Sequence, residues 1–244
     1  MALAIGLAAA LTVAVFLWPT TALARESKQE ARAFEKEVTR VVRLNYLLYL
    51  PSDYDPGSGK RWPLILFLHG MGERGDDLEK IKVHGIPKIV EQRDDFPFIT
   101  VSPQCPETSW WPVEIEALDA LLDDVLGRYA VDEDRVYLTG LSMGGFGTWA
   151  WATAYPDRFA AIAPVCGGGE PEKASRLKDV PVWVFHGAKD TVVDPRRSEE
   201  MVEALRKVGA NVRYTLYPEA GHDSWTKTYD NPELYDWFLS HRRR

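Results

Sequence analysis

The chain has 244 residues, of which 45% are hydrophobic and 27% charged, with a formal net charge of −7 at pH 7. This length and balance fit a globular chain with a full hydrophobic core, organised as one large domain or two small ones. The acidic excess argues against nucleic acid and anionic membrane surfaces as partners, and it leaves uncharged small molecules open.

Residues 1–24 carry no charged side chain, and Met1 to Trp18 is almost wholly apolar. Ala22-Leu23-Ala24 precedes Arg25 and reads as the cleavage site of an export signal. An uncleaved N-terminal anchor is the alternative, since about 20 apolar residues span a bilayer. Cleavage would leave 25–244 as one secreted or periplasmic domain with no stable membrane partner.

Arg25 to Lys36 is charged and reads as a frayed arm or short helix. Arg40 to Leu50 alternates toward a strand, and Pro51 to Lys60 is turn-rich. Pro63 to Leu68 and Phe98 to Val101 are continuous apolar runs, as expected of strands covered on both faces. Ile115 to Tyr129 has helical spacing. Val136 to Leu141 predicts a strand and Met143 to Tyr155 a helix. Ala160 to Val165 and Pro181 to Phe185 are two further buried strands. Ser198 to Val208 is helical, Val212 to Tyr217 a strand and Pro232 to His241 a closing helix. Strands alternating with helices predict an α/β fold with a mostly parallel central sheet flanked by helices. Only 15 residues separate Val165 from Pro181, too few for a large cap domain, so the site should be open.

The two cysteines, Cys105 and Cys166, each follow a predicted strand. A disulfide and buried free thiols are both compatible with that placement. Neither cysteine has the spacing of a zinc site.

Gly140-Leu141-Ser142-Met143-Gly144 fits G-x-S-x-G at the junction of a predicted strand and a predicted helix. The glycines are needed because strand and helix backbones pass very close at such a turn, which exposes the serine hydroxyl at a helix N-terminus. A serine hydroxyl needs a base, and the base an orienting acid. In nucleophile elbows of this kind the acid and then the histidine follow the serine in chain order. Of the five histidines, His69 and His84 precede the serine, His186 precedes the acid candidates, and His241 lies in the closing helix. His222, in the loop after the last strand, remains as general base. Asp190 and Asp194 compete as the acid. Asp194 precedes Pro195 and looks like a helix N-cap, which favours Asp190.

The oxyanion needs fixed N–H donors. The backbone of Met143, directly after the serine, should be one. Met71, in the glycine-rich loop His69 to Gly75, should be the other. Glu73 and Arg74 could orient this loop as an ion pair or stand solvated. Trp110, Trp111 and Trp225 are the candidate walls of a substrate pocket, each with core packing as the competing role. Neither a metal nor an organic cofactor is needed.

These residues together resemble a known family. Leu68 to Asp77, Ser102 to Pro106, Thr139 to Trp149, Val184 to Asp190 and Gly221 to Trp225 are similar to the small bacterial carboxylesterases of the α/β-hydrolase superfamily, a dienelactone-hydrolase-like and feruloyl-esterase-like group also labelled "predicted peptidase". The resemblance implies an α/β-hydrolase fold and a serine carboxylesterase acting on short-chain or aromatic small-molecule esters. Dienelactone hydrolases proper use a cysteine where this chain has Ser142. A serine peptidase for short peptides and a non-catalytic binding protein on a hydrolase scaffold are the alternatives. Oligomeric state is not legible.

Overall fold

The computed structural model describes residues 32–243 apart from 38 and 40. The chain divides into two units, Met1–Arg40 and Val41–Arg244. The described part of the first, residues 32–37 and 39, is exposed and forms neither helix nor strand. The expected export signal over 1–24 lies outside the described residues.

The second unit runs β1 (Tyr46–Tyr49), β2 (Trp62–Leu68), α1 (Gly85–Val90), β3 (Ile99–Pro103), α2 (Ile115–Arg128), β4 (Val131–Leu141), α3 (Met143–Ala154), β5 (Ala161–Val165), β6 (Val182–Gly187), α4 (Arg196–Lys207), β7 (Val212–Tyr217), α5 (Trp225–Tyr229) and α6 (Pro232–Leu239). The seven strands form one sheet in the order β1-β3-β2-β4-β5-β6-β7. β1 pairs antiparallel with β3, and every other pairing is parallel. This is the α/β-hydrolase architecture expected from the sequence. The link between β5 and β6 holds one 3₁₀ segment, Pro171–Leu177, in place of a cap domain.

The continuous apolar strands have their cause in the two-sided burial. All seven residues of β2 are buried. Leu64, Leu66 and Leu68 join a core that includes Leu118 and Leu122 of α2 and Met201 and Leu205 of α4. Ile65 and Phe67 point the other way, into a core with Ile86 of α1 and Leu234 and Phe238 of α6. Period-2 alternation therefore sends successive β2 side chains into two different apolar layers, and both faces select hydrophobes.

Several boundaries differ from expectation. The strand expected over 40–50 shrinks to four half-buried residues at the sheet edge, where one partner suffices. β4 starts at Val131, ahead of its apolar run, because Val131 pairs with Trp62 across an irregularity in β2. α5, which carries Trp225, has no counterpart in the sequence reading; with five residues it is too short to show a helical period.

The sheet order also settles the cysteines. Cys105 follows β3 and Cys166 follows β5, and β2 and β4 lie between those strands. Three strand spacings amount to about 14 Å, roughly twice the Cα separation a disulfide tolerates. Both thiols are free and buried.

The tightest backbone approach in the fold is at α3. A Cβ on Gly144 would collide with the backbone carbonyl of Leu68, and one on Gly140 with the carbonyl of Gly144. Backbone cannot yield as a side chain can. Gly144→Ala should therefore cost about 3 kcal/mol or more, the upper range for overpacking, and lower the midpoint by roughly 6–12 °C for a chain of this size. Thermal unfolding followed by circular dichroism measures this; a midpoint unchanged within about 1 °C would contradict the close approach.

Candidate active site

Ser142 sits between β4 and α3 with φ 52°, a left-handed conformation that non-glycine residues seldom adopt. Such strain persists only where surrounding structure imposes it. Here the Ser142 amide donates to the Val165 carbonyl at 3.0 Å, and its carbonyl accepts from the Phe146 amide at 3.1 Å, in the first turn of α3. The turn leaves the hydroxyl facing a cavity and places it at the positive end of a 12-residue helix.

His222 Nε2 stands 2.9 Å from Ser142 Oγ, and its Nδ1 stands 2.7 Å from Asp190 Oδ2. The carboxylate can only accept, so Nδ1 carries the proton and Nε2 presents its lone pair to the serine hydroxyl. The Asp190 side chain is buried and held at both oxygens. Oδ1 accepts from the amides of Val192 at 2.9 Å and Val193 at 3.0 Å. Oδ2 accepts from His222 and lies 3.2 Å from Nε2 of His186. Burial alone would raise the Asp190 pKa; the bonds from His222, Val193 and Val192 outweigh it and hold the carboxyl below its ordinary value.

His186 belongs to this arrangement, although the sequence offers it only as a rejected base. It is fully buried, and burial lowers its pKa, which keeps the ring neutral. Nε2 faces two acceptors, the Val193 carbonyl at 3.0 Å and Asp190 Oδ2, so it carries the ring proton. Nδ1 stands 2.7 Å from Ser198 Oγ, whose hydroxyl also reaches the Gly167 carbonyl at 2.9 Å. Asp194 accepts from the Arg196 amide at 2.9 Å at the start of α4, the capping role that removed it from the choice of acid.

The loop after β2 is fixed by His69. Its Nε2 accepts from the Cys105 amide at 3.0 Å, and its Nδ1 donates to the Gly70 carbonyl at 2.5 Å. Burial lowers its pKa to about 4, consistent with a neutral ring that has one donor and one acceptor nitrogen. Trp111 donates from its indole to the His69 carbonyl at 2.9 Å and packs edge-on against the imidazole. Trp111 is completely buried and does not line the cavity, which corrects its reading as a pocket wall: its indole packs inward and braces this loop. Of the two readings left open for Glu73 and Arg74, the ion pair is not formed among the described residues. Arg74 instead donates to the carbonyls of Met71 at 3.2 Å and Ser109 at 2.9 Å, tying the loop to the one after β3.

Met71 opens a 3₁₀ turn, and Met143 opens α3. First-turn amides have no acceptor within their own helix. Both residues line the same cavity as Ser142 and His222. The cavity holds about 500 Å³, and Trp110 and Trp225 form part of its wall. His84, which sequence reasoning dismissed, lines it too, edge-on to Trp225 at 5.4 Å, while Trp225 meets His222 at 5.2 Å. Two apolar residues from the loop after β6, Val192 and Val193, also line it.

Cys166 is the nearest candidate for metal ligation. Its Sγ, an Asp190 oxygen and a His222 nitrogen lie within 4.8 Å of one another. Burial pushes the Cys166 thiol up to about 12, and the Asp190–His222 contact is already occupied by a proton. A metal would need both protons removed.

Comparison with known proteins adds the following. The profile of the dienelactone hydrolase family matches residues 107–235. A bifunctional acetylxylan esterase/xylanase of Neocallimastix patriciarum is 29% identical over 165 residues, covering 65% of this chain and 23% of that protein. A protein named probable feruloyl esterase C, from Aspergillus terreus, is 28% identical over 128 residues, covering 50% of this chain and 46% of its own. The crystal structure of a thermostable esterase superposes with a TM-score of 0.72 at 35% identity, covering 83% of this chain and 60% of that one. The chain thus spans less than two thirds of the length of each of these relatives.

Burial of the two thiols has a direct consequence. Cys105 and Cys166 both have pKa values raised to about 12 by burial, so neither forms thiolate at pH 8 in the folded protein. Ellman's reagent should titrate no thiol in the native protein and two after guanidinium unfolding. Rapid labelling of one thiol in the native state would contradict the packing around it.

Proposed function

The chain belongs to the dienelactone hydrolase family, and from that premise we propose that it is a serine carboxylesterase. The proposed substrates are short-chain or aromatic, feruloyl-type esters, and the reaction passes through an acyl-enzyme. Ser142 Oγ attacks the ester carbonyl while His222 Nε2 takes the hydroxyl proton. Asp190 holds the imidazole and stabilises the imidazolium. The tetrahedral oxyanion accepts hydrogen bonds from the amides of Met71 and Met143. Collapse breaks the bond to the leaving alkoxide, which takes the proton from His222. Water then attacks the acyl-enzyme with His222 again as base, and the acid departs with Ser142 restored.

One observation carries this reading: Ser142 Oγ, the His222 ring and the Asp190 carboxylate follow one another at 2.9 and 2.7 Å, with the tautomer the mechanism needs. The names of the relatives lend support, since an acetylxylan esterase and a feruloyl esterase are among them. The cavity size also suits a small ester, at the lower end of the range for ligand pockets.

The test uses a panel of p-nitrophenyl acyl esters, methyl ferulate and peptide p-nitroanilides. The wild-type protein should turn over esters and leave anilides nearly untouched. Ser142→Ala should remove turnover and labelling by a fluorophosphonate, with thermal stability retained. Full activity in that variant would end the mechanism. Asp190→Asn removes the acceptor that sets the His222 tautomer and should lower kcat on the order of 10⁴-fold, as for triad aspartates generally. A drop below about 10-fold would assign the orienting role elsewhere.

A further inference from the structure

The wall around Ser142 contains one carboxylate, Glu73, and no lysine or arginine. Its Oε2 is buried with no hydrogen-bond partner among the described residues. The ring nitrogen in its range is His69 Nδ1 at 3.9 Å, and that proton is already given to the Gly70 carbonyl on a neutral ring. The Arg74 guanidinium is turned to the carbonyls of Met71 and Ser109. Glu73 is also close to the nucleophile: Gly70 lies between them, and a Cβ placed there would stand 3.0 Å from Glu73 Oε2 and 3.9 Å from Ser142 Cβ. An orphaned carboxylate oxygen is costly to bury. The surroundings are largely apolar and aromatic, with Phe146, Trp110 and Trp225 in the same wall.

We propose that Glu73 determines specificity at this site, favouring esters with an ammonium or other cationic group close to the scissile bond and refusing esters with a carboxylate there. The proposal rests on the esterase reading above. A substrate cation is attracted by the carboxylate charge in the wall and lies against aromatic faces that also attract positive charge. A substrate carboxylate meets like charge in the wall, with no lysine or arginine there to offset it. The net charge of −7 on the whole chain adds to the same preference over distance.

Three acetate esters of similar size separate the outcomes: choline acetate, its uncharged isostere 3,3-dimethylbutyl acetate, and 3-acetoxypropanoate. In the wild-type protein kcat/KM should be at least tenfold higher for the cation than for the neutral ester. It should be at least tenfold lower for the anion, and 0.5 M NaCl should compress both ratios. Glu73→Gln should bring both ratios to within about threefold of one, and Glu73→Asp, which keeps the charge, should preserve their direction. Unchanged ratios in Glu73→Gln would overturn the proposal, as would a wild-type protein indifferent to charge. Binding separates this from the esterase reading. On Ser142→Ala, choline should quench the tryptophan fluorescence at lower concentration than 3,3-dimethylbutanol, and Glu73→Gln in that background should remove the difference. Equal binding of the two alcohols with intact ester turnover would sink the selector alone. Charge-selective binding without turnover of any ester would sink the esterase reading alone.

Discussion

The contact on which the rest depends is the backbone approach of α3 to the end of β2. Gly144 lies against the carbonyl of Leu68, and Gly140 against that of Gly144. That approach forces the left-handed φ at Ser142. It also sets the distance between the first amide of α3 and the loop that begins at His69, so Met71 and Met143 border one cavity. Three features of the site thus follow from the absence of two Cβ atoms. The helix itself is poorly amphipathic and buried on most sides. It is held by packing, not by a favourable exposed face, which suits an element whose N-terminus has to stay in register with another strand.

The second organising feature is the number of donors on Asp190. A buried carboxylate loses several kcal/mol of hydration. Two amides and one imidazole N–H within 3.0 Å, with a second imidazole at 3.2 Å, bring it close to the four acceptor positions it offers. Charge-assisted bonds contribute roughly 1.5–3 kcal/mol each, enough in sum to keep the group ionised, which agrees with the lowered pKa. The same bonds fix its direction. Because His186 is itself held by Ser198 and the Val193 carbonyl, Asp190 cannot turn toward His186 without breaking contacts at both ends.

What was legible in the sequence is what has a strong local signal. The pentad around Ser142 requires glycines, chain order isolates His222, and Asp194 declares itself a cap by the proline that follows it. Buried parallel strands are legible because both faces demand hydrophobes. The orientation of a side chain within a loop is not. Trp110 and Trp111 are adjacent and alike, yet one is 45% exposed in the cavity wall and the other is completely buried. Which of them turns inward depends on where the His69 carbonyl lies, a fact about β2 forty residues away. His84 and His186 were missed for the same reason. Each is excluded as a base by its position in the chain, and chain position says nothing about a supporting or lining role. Arg74 sits next to Glu73, but neighbouring residues often point apart, and here two carbonyl oxygens compete successfully for the guanidinium.

Selectivity at such a site has two sources of different strength. Apolar walls discriminate one methylene from none by about 1–3 kcal/mol, and an open site with no cap over it can let longer chains project into solvent. Trp110, half in solvent at the mouth, is a wall of that kind. A buried polar group that the substrate must satisfy discriminates much more strongly, because a substrate that fails to satisfy it leaves the whole desolvation cost in place. Within this cavity Glu73 Oε2 is an acceptor without a partner and the Trp225 indole N–H a donor without one, whereas Asp190 has its donors supplied by the protein. Two carboxylates thus sit close to one nucleophile with opposite consequences. The satisfied one orients the base, and the other sets the charge that the ligand meets.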